Sequence, residues 1–241
     1  MRLNRFLAAA GLGSRRSCEA LITSGAVAIN GHFITQLATQ VAEGDDVRVH
    51  GRQVHTATPV TLLLNKPRGF VVTRSDERGR RTVYELLPPE YSTLSHVGRL
   101  DKESEGLLLM TNDGNLAQQL THPSHTIEKE YEVLLDKAFA HEHVAKLTRG
   151  FHIEGGRGQF ERLCVLAPKK ILVTLRQGIK RQIRLMLYHM GYEVERLTRT
   201  RIGGLTDHRL PVGACRRLND KEVAQLSLKP TALPKRQIKA K

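Results

Sequence analysis

Apolar residues recur at helical spacing from the start of the chain. Leu3, Phe6, Leu7 and Ala10 share one face, and Gly11 follows as a natural stop. Ser14 is placed to cap a second helix whose apolar face includes Leu21 and Ile22, and Gly25 ends it. The period then changes. Val27 to Ile29 reads as a strand, Asn30-Gly31 as a tight hairpin turn, and Phe33-Ile34 as the start of the return strand. Val47 and Val49 alternate with charge, as an edge strand would. Residues 1–50 therefore form a small helix-helix-strand module. Residues 51–61 (GRQVHTATPVT) are polar, lack a period and read as a linker.

The larger domain, 62–226, opens with two apolar, strand-like runs around an Asn-Lys-Pro-Arg-Gly turn, LLLNKPRGFVVT. Residues 74–82 form a loop with four arginines. Gly98 to Gly114 (GRLDKESEGLLLMTNDG) sets Asp101 directly after Arg-Leu and before an apolar run. Asn115–Leu120 and His141–Gly150 read as helices, and Tyr131–Leu135, Leu163–Ala167 and Ile171–Leu175 as strands. In residues 178–191 the buried stripe is Ile179, Ile183, Met186, Leu187 and Met190. Lys180, Arg181 and Arg184 cluster on another helical face. Helices and strands alternate irregularly, with several hairpins. The class is α+β, with a mixed, mostly antiparallel sheet and flanking helices. Residues 227–241 carry five basic residues, two prolines and no acid, and read as a disordered basic tail.

Composition narrows the partner. Lys and Arg number 38 against 24 Asp and Glu, a formal net charge of +14 in 241 residues. Such an excess favours a polyanion, either nucleic acid or an anionic membrane surface. No run approaches the roughly 20 apolar residues of a membrane span. The N-terminal patch imitates a signal peptide, but Asn4 and Arg5 break it, so it reads as an amphipathic helix of a cytoplasmic protein. Cys18, Cys164 and Cys215 fit neither a zinc site nor a disulfide framework, and read as reduced, buried or half-buried thiols. The pairs His122/His125 and His141/His143 have metal-compatible spacing without a third ligand. Gly155 to Gly158 reads as a turn, not a phosphate loop.

Charge is also unevenly distributed. Arg2, Arg5, Arg15 and Arg16 gather early, whereas Glu43, Asp45 and Asp46 come later. A phosphate-binding pair of helices and an ordinary solvated face both fit that pattern. The order helix, Gly-Ser-Arg-Arg, helix, Val-x-Ile-Asn-Gly resembles the small RNA-binding domain shared by a small-subunit ribosomal protein and some tRNA synthetases. Further on, LNKPRG at Leu64, GRLDKESEGLLLMTNDG at Gly98, EKEYEV at Glu128, QGIKRQIRLM at Gln177 and LTRTRIGG at Leu197 follow one another in a single order. Together they resemble the RsuA-like branch of the RNA pseudouridine synthases, over essentially residues 1–226. One departure is Leu185, where relatives often carry a second arginine that makes a peripheral RNA contact.

The resemblance implies a uridine-to-pseudouridine isomerase acting on RNA without metal or organic cofactor. Asp101 stands at the catalytic position, Tyr131 where a ring packs against the target base, and Arg184 where a cation partners the carboxylate. Arg99 matches an arginine that fills the space left by the flipped base; a salt bridge holding its own loop is the alternative. Lys66 either contacts RNA or anchors its turn. Lys180 and Arg181 join the RNA-binding set with Arg2, Arg5, Arg15 and Arg16. The implied substrate is ribosomal RNA, free or in a pre-ribosomal particle. The Lys-Glu-Ser-Glu-Gly run favours large-subunit enzymes of the B, E and F type. Small-subunit rRNA and tRNA are the alternatives within the family. The rival from another class is a non-catalytic RNA-binding factor of ribosome assembly. A monomer with no membrane partner is expected.

Overall fold

The computed structural model describes residues 1–122 and 127–228. The basic tail from residue 229 onward and His125 lie outside the described residues. Two compact units are formed. One comprises residues 1–61 with 88–95 and 111–117, and the other comprises 62–87, 96–110 and the chain from 118 onward.

In the small domain, α1 spans Leu3–Ala9 and α2 spans Arg15–Thr23. The Ser14 hydroxyl accepts from the Ser17 backbone N–H at 3.1 Å, capping α2 and satisfying one of its free amides. Strands β1 (Val27–Ile29), β2 (His32–Ile34), β3 (Val47–Val49) and β4 (Arg52–Gln53) follow. Asn30 and Gly31 both take positive φ, 50° and 84°, which is what lets two residues close the β1–β2 hairpin. Leu3, Leu7, Cys18, Ile22, Val27, Val47 and Val49 form one buried cluster. The sheet order is β2-β1-β3-β4, so β3 is an interior strand and not the expected edge. The sheet also reaches Gln53, into the segment read as a linker.

The larger domain is built on a nine-stranded sheet. Its elements are β5 (Thr61–Lys66), β6 (Ser95–Val97), β7 (Glu105–Thr111), α3 (Gly114–Thr121), β8 (Lys129–Leu135), α4 (His143–Arg149), β9 (Phe151–Ile153) and β10 (Gly156–Gly158). Then come β11 (Arg162–Ala167), β12 (Lys170–Leu175), α5 (Gln182–Tyr188), β13 (Val194–Ile202), β14 (Leu205–Thr206), β15 (Cys215–Arg217) and α6 (Asp220–Gln225). The main order is β11-β12-β8-β13-β7-β5-β15, with β14 on β13 and β6 on β7; β9 and β10 pair separately. β8 runs antiparallel to β12 and β13, while β13 and β7 are parallel. The α+β class with a mixed sheet is therefore realised.

Further expectations change. Residues 70–73 are not a strand; Val71 makes only an isolated bridge to Thr82. Helix α5 begins at Gln182, because Arg181 has φ 57° and breaks the helical run. Lys180 and Arg181 therefore precede the helix that carries Arg184. Among the cysteines, Cys18 is buried and Cys215 half-buried, but Cys164 is exposed, because it sits on the terminal strand of the sheet.

Gly106 has φ 100° and pairs with Arg199 where β7 meets β13. A Cβ there would strike the Arg199 backbone oxygen and nitrogen. Gly106→Ala is expected to destabilise the domain by about 2 kcal/mol or more, through strain and a steric shift of β13. Urea unfolding tests this; a change within about 0.5 kcal/mol, the range of an ordinary surface substitution, would refute it.

Candidate active site

Asp101 occupies the loop between β6 and β7, and that loop is held from two sides. From β5, Lys66 reaches beneath it and is fully buried. Its Nζ donates to the carbonyls of Ser104 at 2.7 Å, Pro67 at 3.0 Å, Asp101 at 3.2 Å and Lys102 at 3.4 Å. Burial pushes its pKa down to about 8, while the carboxylates of Glu103, Glu105 and Asp101 act in the opposite direction. The carbonyls add a further reason to stay charged, because an ammonium has three N–H bonds to share and a neutral amine only two. Of the two readings of Lys66, the buried geometry excludes RNA contact and leaves the anchor.

From α5, Arg184 grips the same loop. Its Nη2 donates to the Glu103 carbonyl at 3.1 Å, and its Nη1 to the Val194 carbonyl at 2.9 Å. It makes no ion pair within 4.0 Å of Asp101 among the described residues. The two are still electrostatically linked. Burial lowers the Arg184 pKa, Arg181 adds to this, and Asp101 opposes it. Arg184 thus supports the loop of Asp101 through its backbone, in place of the direct pairing expected.

The Asp101 carboxylate itself makes no hydrogen bond or ion pair among the described residues. It is half-buried on the wall of a cleft of about 600 Å³. Tyr131 lines the same cleft and is nearly buried, its hydroxyl without a hydrogen bond among the described residues. Arg99, Lys180 and Arg181 are exposed along the cleft, and Arg99 forms no ion pair among the described residues. The anchoring salt bridge offered for Arg99 is therefore not observed. In the small domain Arg2, Arg15 and Arg16 are exposed and Arg5 is half-buried.

Residues without an assigned role complete the wall. Lys129 and Tyr131 point to one face of β8, and Arg199 pairs with Tyr131 across β13. All three line the cleft. A register shift between Arg199 and Arg201 sets Arg201 opposite Glu130, the neighbour of Tyr131 on the other face of β8. There Arg201 meets Glu128 at 3.5 Å and Glu130 at 3.4 Å, while Arg162 and Arg176 also pair with Glu128. The arginine loop is partly stitched to itself. Arg80 pairs with Asp76, and Arg74 and Arg81 lie over the rings of Tyr84 and Phe70.

A half-buried, unpaired carboxylate that shares its cleft with a phenol and a rim of cations suits nucleophilic or proton-transfer chemistry on an anionic polymer. Comparison with known proteins names that chemistry. A family profile described as RNA pseudouridylate synthase matches residues 60–189, and an S4 domain profile matches residues 1–47. The chain belongs to the RNA pseudouridine synthases. This synthase is 36% identical to the ribosomal large subunit pseudouridine synthase B of Bacillus subtilis, over 93% of this chain and 95% of the relative. It is 36% identical to the dual-specificity RNA pseudouridine synthase RluF of Escherichia coli, over 94% of this chain and 78% of the relative. A crystal structure of a pseudouridylate synthase superposes with a TM-score of 0.69 at 27% identity, covering 94% of this chain and 99% of that one. Among the described residues no helix of the synthase is long and apolar enough to cross a membrane.

Replacing the buried lysine tests how the loop is held. Lys66→Met should cost about 3 kcal/mol, since several buried carbonyls are deprived of a charged donor at once. It should also slow turnover by loosening the Asp101 loop. Urea unfolding together with a single-turnover assay measures both. Unaltered stability with full activity would show that the anchor is dispensable.

Proposed function

We propose that the synthase isomerises one uridine of large-subunit ribosomal RNA, with Asp101 as the reacting carboxylate. The carrying observation is the state of Asp101: reachable from the cleft, unpaired among the described residues, and on the wall of the same cleft as Tyr131. The name of the Bacillus relative supports the choice of RNA. In this reaction the base leaves the anomeric carbon of its ribose, turns, and rejoins through a ring carbon. Such chemistry needs a carboxylate that attacks sugar or ring, or that takes a ribose proton.

The uridine must first leave its stack, at a cost of a few kcal/mol. Arg99, exposed and unpaired at the cleft, suits the vacated space. The Tyr131 ring offers a stacking face, and its hydroxyl a polar tip for proton transfer. Arg184 keeps the Asp101 loop in place and a positive potential behind it. Lys180 and Arg181 at the cleft, with Arg2, Arg5, Arg15 and Arg16 on the small domain, hold phosphates. The protein works in the cytoplasm as a monomer on this reading.

Asp101→Asn is expected to abolish pseudouridine formation while leaving RNA affinity within about threefold, because the basic surface is untouched. Pseudouridine mapping of total rRNA and tRNA from cells lacking the gene, complemented with wild type or with Asp101→Asn, reads this directly. One large-subunit position should disappear and return only with wild type. A missing position in small-subunit rRNA or tRNA would move the target. Full activity of Asp101→Asn would overturn the residue.

The small domain has its own test. Arg15→Glu with Arg16→Glu should weaken RNA binding and flatten its salt dependence by about 0.7–0.9 in log–log slope for each phosphate no longer neutralised. Filter binding across a salt series measures it. An unchanged slope would remove these arginines from the interface.

A further inference from the structure

Lys129 and Arg199 face the cleft beside Tyr131 without an anion of their own. Arg199 is only 3% exposed. Its Nε donates to the Leu107 carbonyl at 2.6 Å, but its buried Nη2 has no hydrogen-bond partner. Lys129 donates from Nζ to the Ile127 carbonyl at 3.2 Å. No carboxylate lies within 4.0 Å of either side chain among the described residues. Burial first, and the Arg199 guanidinium second, push the Lys129 pKa down to about 8. Charge and donors left uncompensated in this way are costly unless an acceptor arrives with the ligand.

Depth decides which part of the RNA that acceptor belongs to. A backbone phosphate sits in a chain that continues on both sides, so it stays at the mouth. Only an extruded base reaches a side chain as deep as Arg199. Uracil presents two carbonyl oxygens. When its bond to the sugar breaks, the electron pair leaves with the base and the charge spreads onto those oxygens. We propose that Arg199 and Lys129 form the charge-holding site for the base, donating to its carbonyl oxygens and stabilising the anion that develops as the C1′–N1 bond breaks.

The step balances without a co-reactant. C1′ is taken by the Asp101 carboxylate, or the ribose gives up its C2′ proton and later regains it. The base then turns about its N3–C6 axis. The C5–C1′ bond forms, C5 loses its proton and N1 gains one. That half-turn exchanges N1 with C5 and one carbonyl with the other. The same two cations therefore meet an oxygen before and after it, and the base stays bound while detached.

The proposal rests on the reading of Asp101 above. It is tested with Arg199→Gln, Arg199→Lys and Lys129→Gln in the full-length protein, under single turnover on transcribed large-subunit rRNA. Each glutamine variant should lose about 10²-fold in rate, as when an electrostatic donor to a developing anion is removed, with RNA affinity within threefold. Arg199→Lys should recover part of the loss. On RNA carrying 5-fluorouridine, whose base is the more stable anion, the deficit in consuming the parent nucleotide should shrink at least tenfold. A purely structural role would give equal deficits on both RNAs, and that result, or an unchanged rate, overturns the proposal. Should Arg199→Gln fail to fold, Lys129→Gln carries the same comparison. Wild-type and Asp101→Asn controls separate the two readings. If wild type modifies uridine and Asp101→Asn does not, a flat leaving-group response sinks only the cation pair. If Asp101→Asn stays active, the reading beneath it falls as well.

Discussion

One buried ammonium organises the centre of the catalytic domain. Lys66 donates to four carbonyls, three of them in the segment 101–104. A loop that must present an unpaired carboxylate cannot be held by that carboxylate. It has to be held by its backbone, and a buried cation is the strongest backbone clamp a side chain offers. Arg184 applies the same device to the Glu103 carbonyl. Both cations leave the Asp101 side chain uncommitted. Carbonyl dipoles and the three nearby carboxylates offset part of the desolvation of the lysine.

The domain's charge pattern follows from the same separation of tasks. Acids and bases that pair with each other sit on the face of β8 and β13 that carries Glu128, Glu130 and Arg201. The opposite face carries Lys129, Tyr131 and Arg199, and neither cation has a carboxylate within 4.0 Å among the described residues. A net charge of +14 is thus more than a general affinity for polyanions. Part of it is concentrated along the cleft that holds Asp101 and Tyr131.

Much of this was legible in the sequence, for physical reasons that differ by element. The paired helices and hairpin of the small domain follow from apolar spacing, a serine cap and an Asn-Gly turn, all local signals. Asp101 and Tyr131 stood out through the motifs around them. Lys66 was ambiguous because burial is a tertiary property, and a lysine in a turn motif carries no mark of depth. The start of α5 was misplaced because periodicity continues through Gly178–Arg181 although Arg181 adopts a left-handed backbone. β3 was read as an edge because β4, two residues long, is too short to show a pattern. Arg199 carried no role in the sequence because nothing local marks the register shift that parts its face from that of Arg201.

The register shift between Arg199 and Arg201, one of two in β13, makes strict alternation fail there, and it rests on a single residue. Shortening the strand by one position between Arg199 and Arg201 would remove the shift there and return the two arginines to one face. An arginine now matched with glutamates would enter the cleft of Asp101, or its counterpart would be withdrawn. The length of this short segment is therefore under tighter constraint than its composition, and drift within the family should tolerate substitutions there more readily than insertions or deletions.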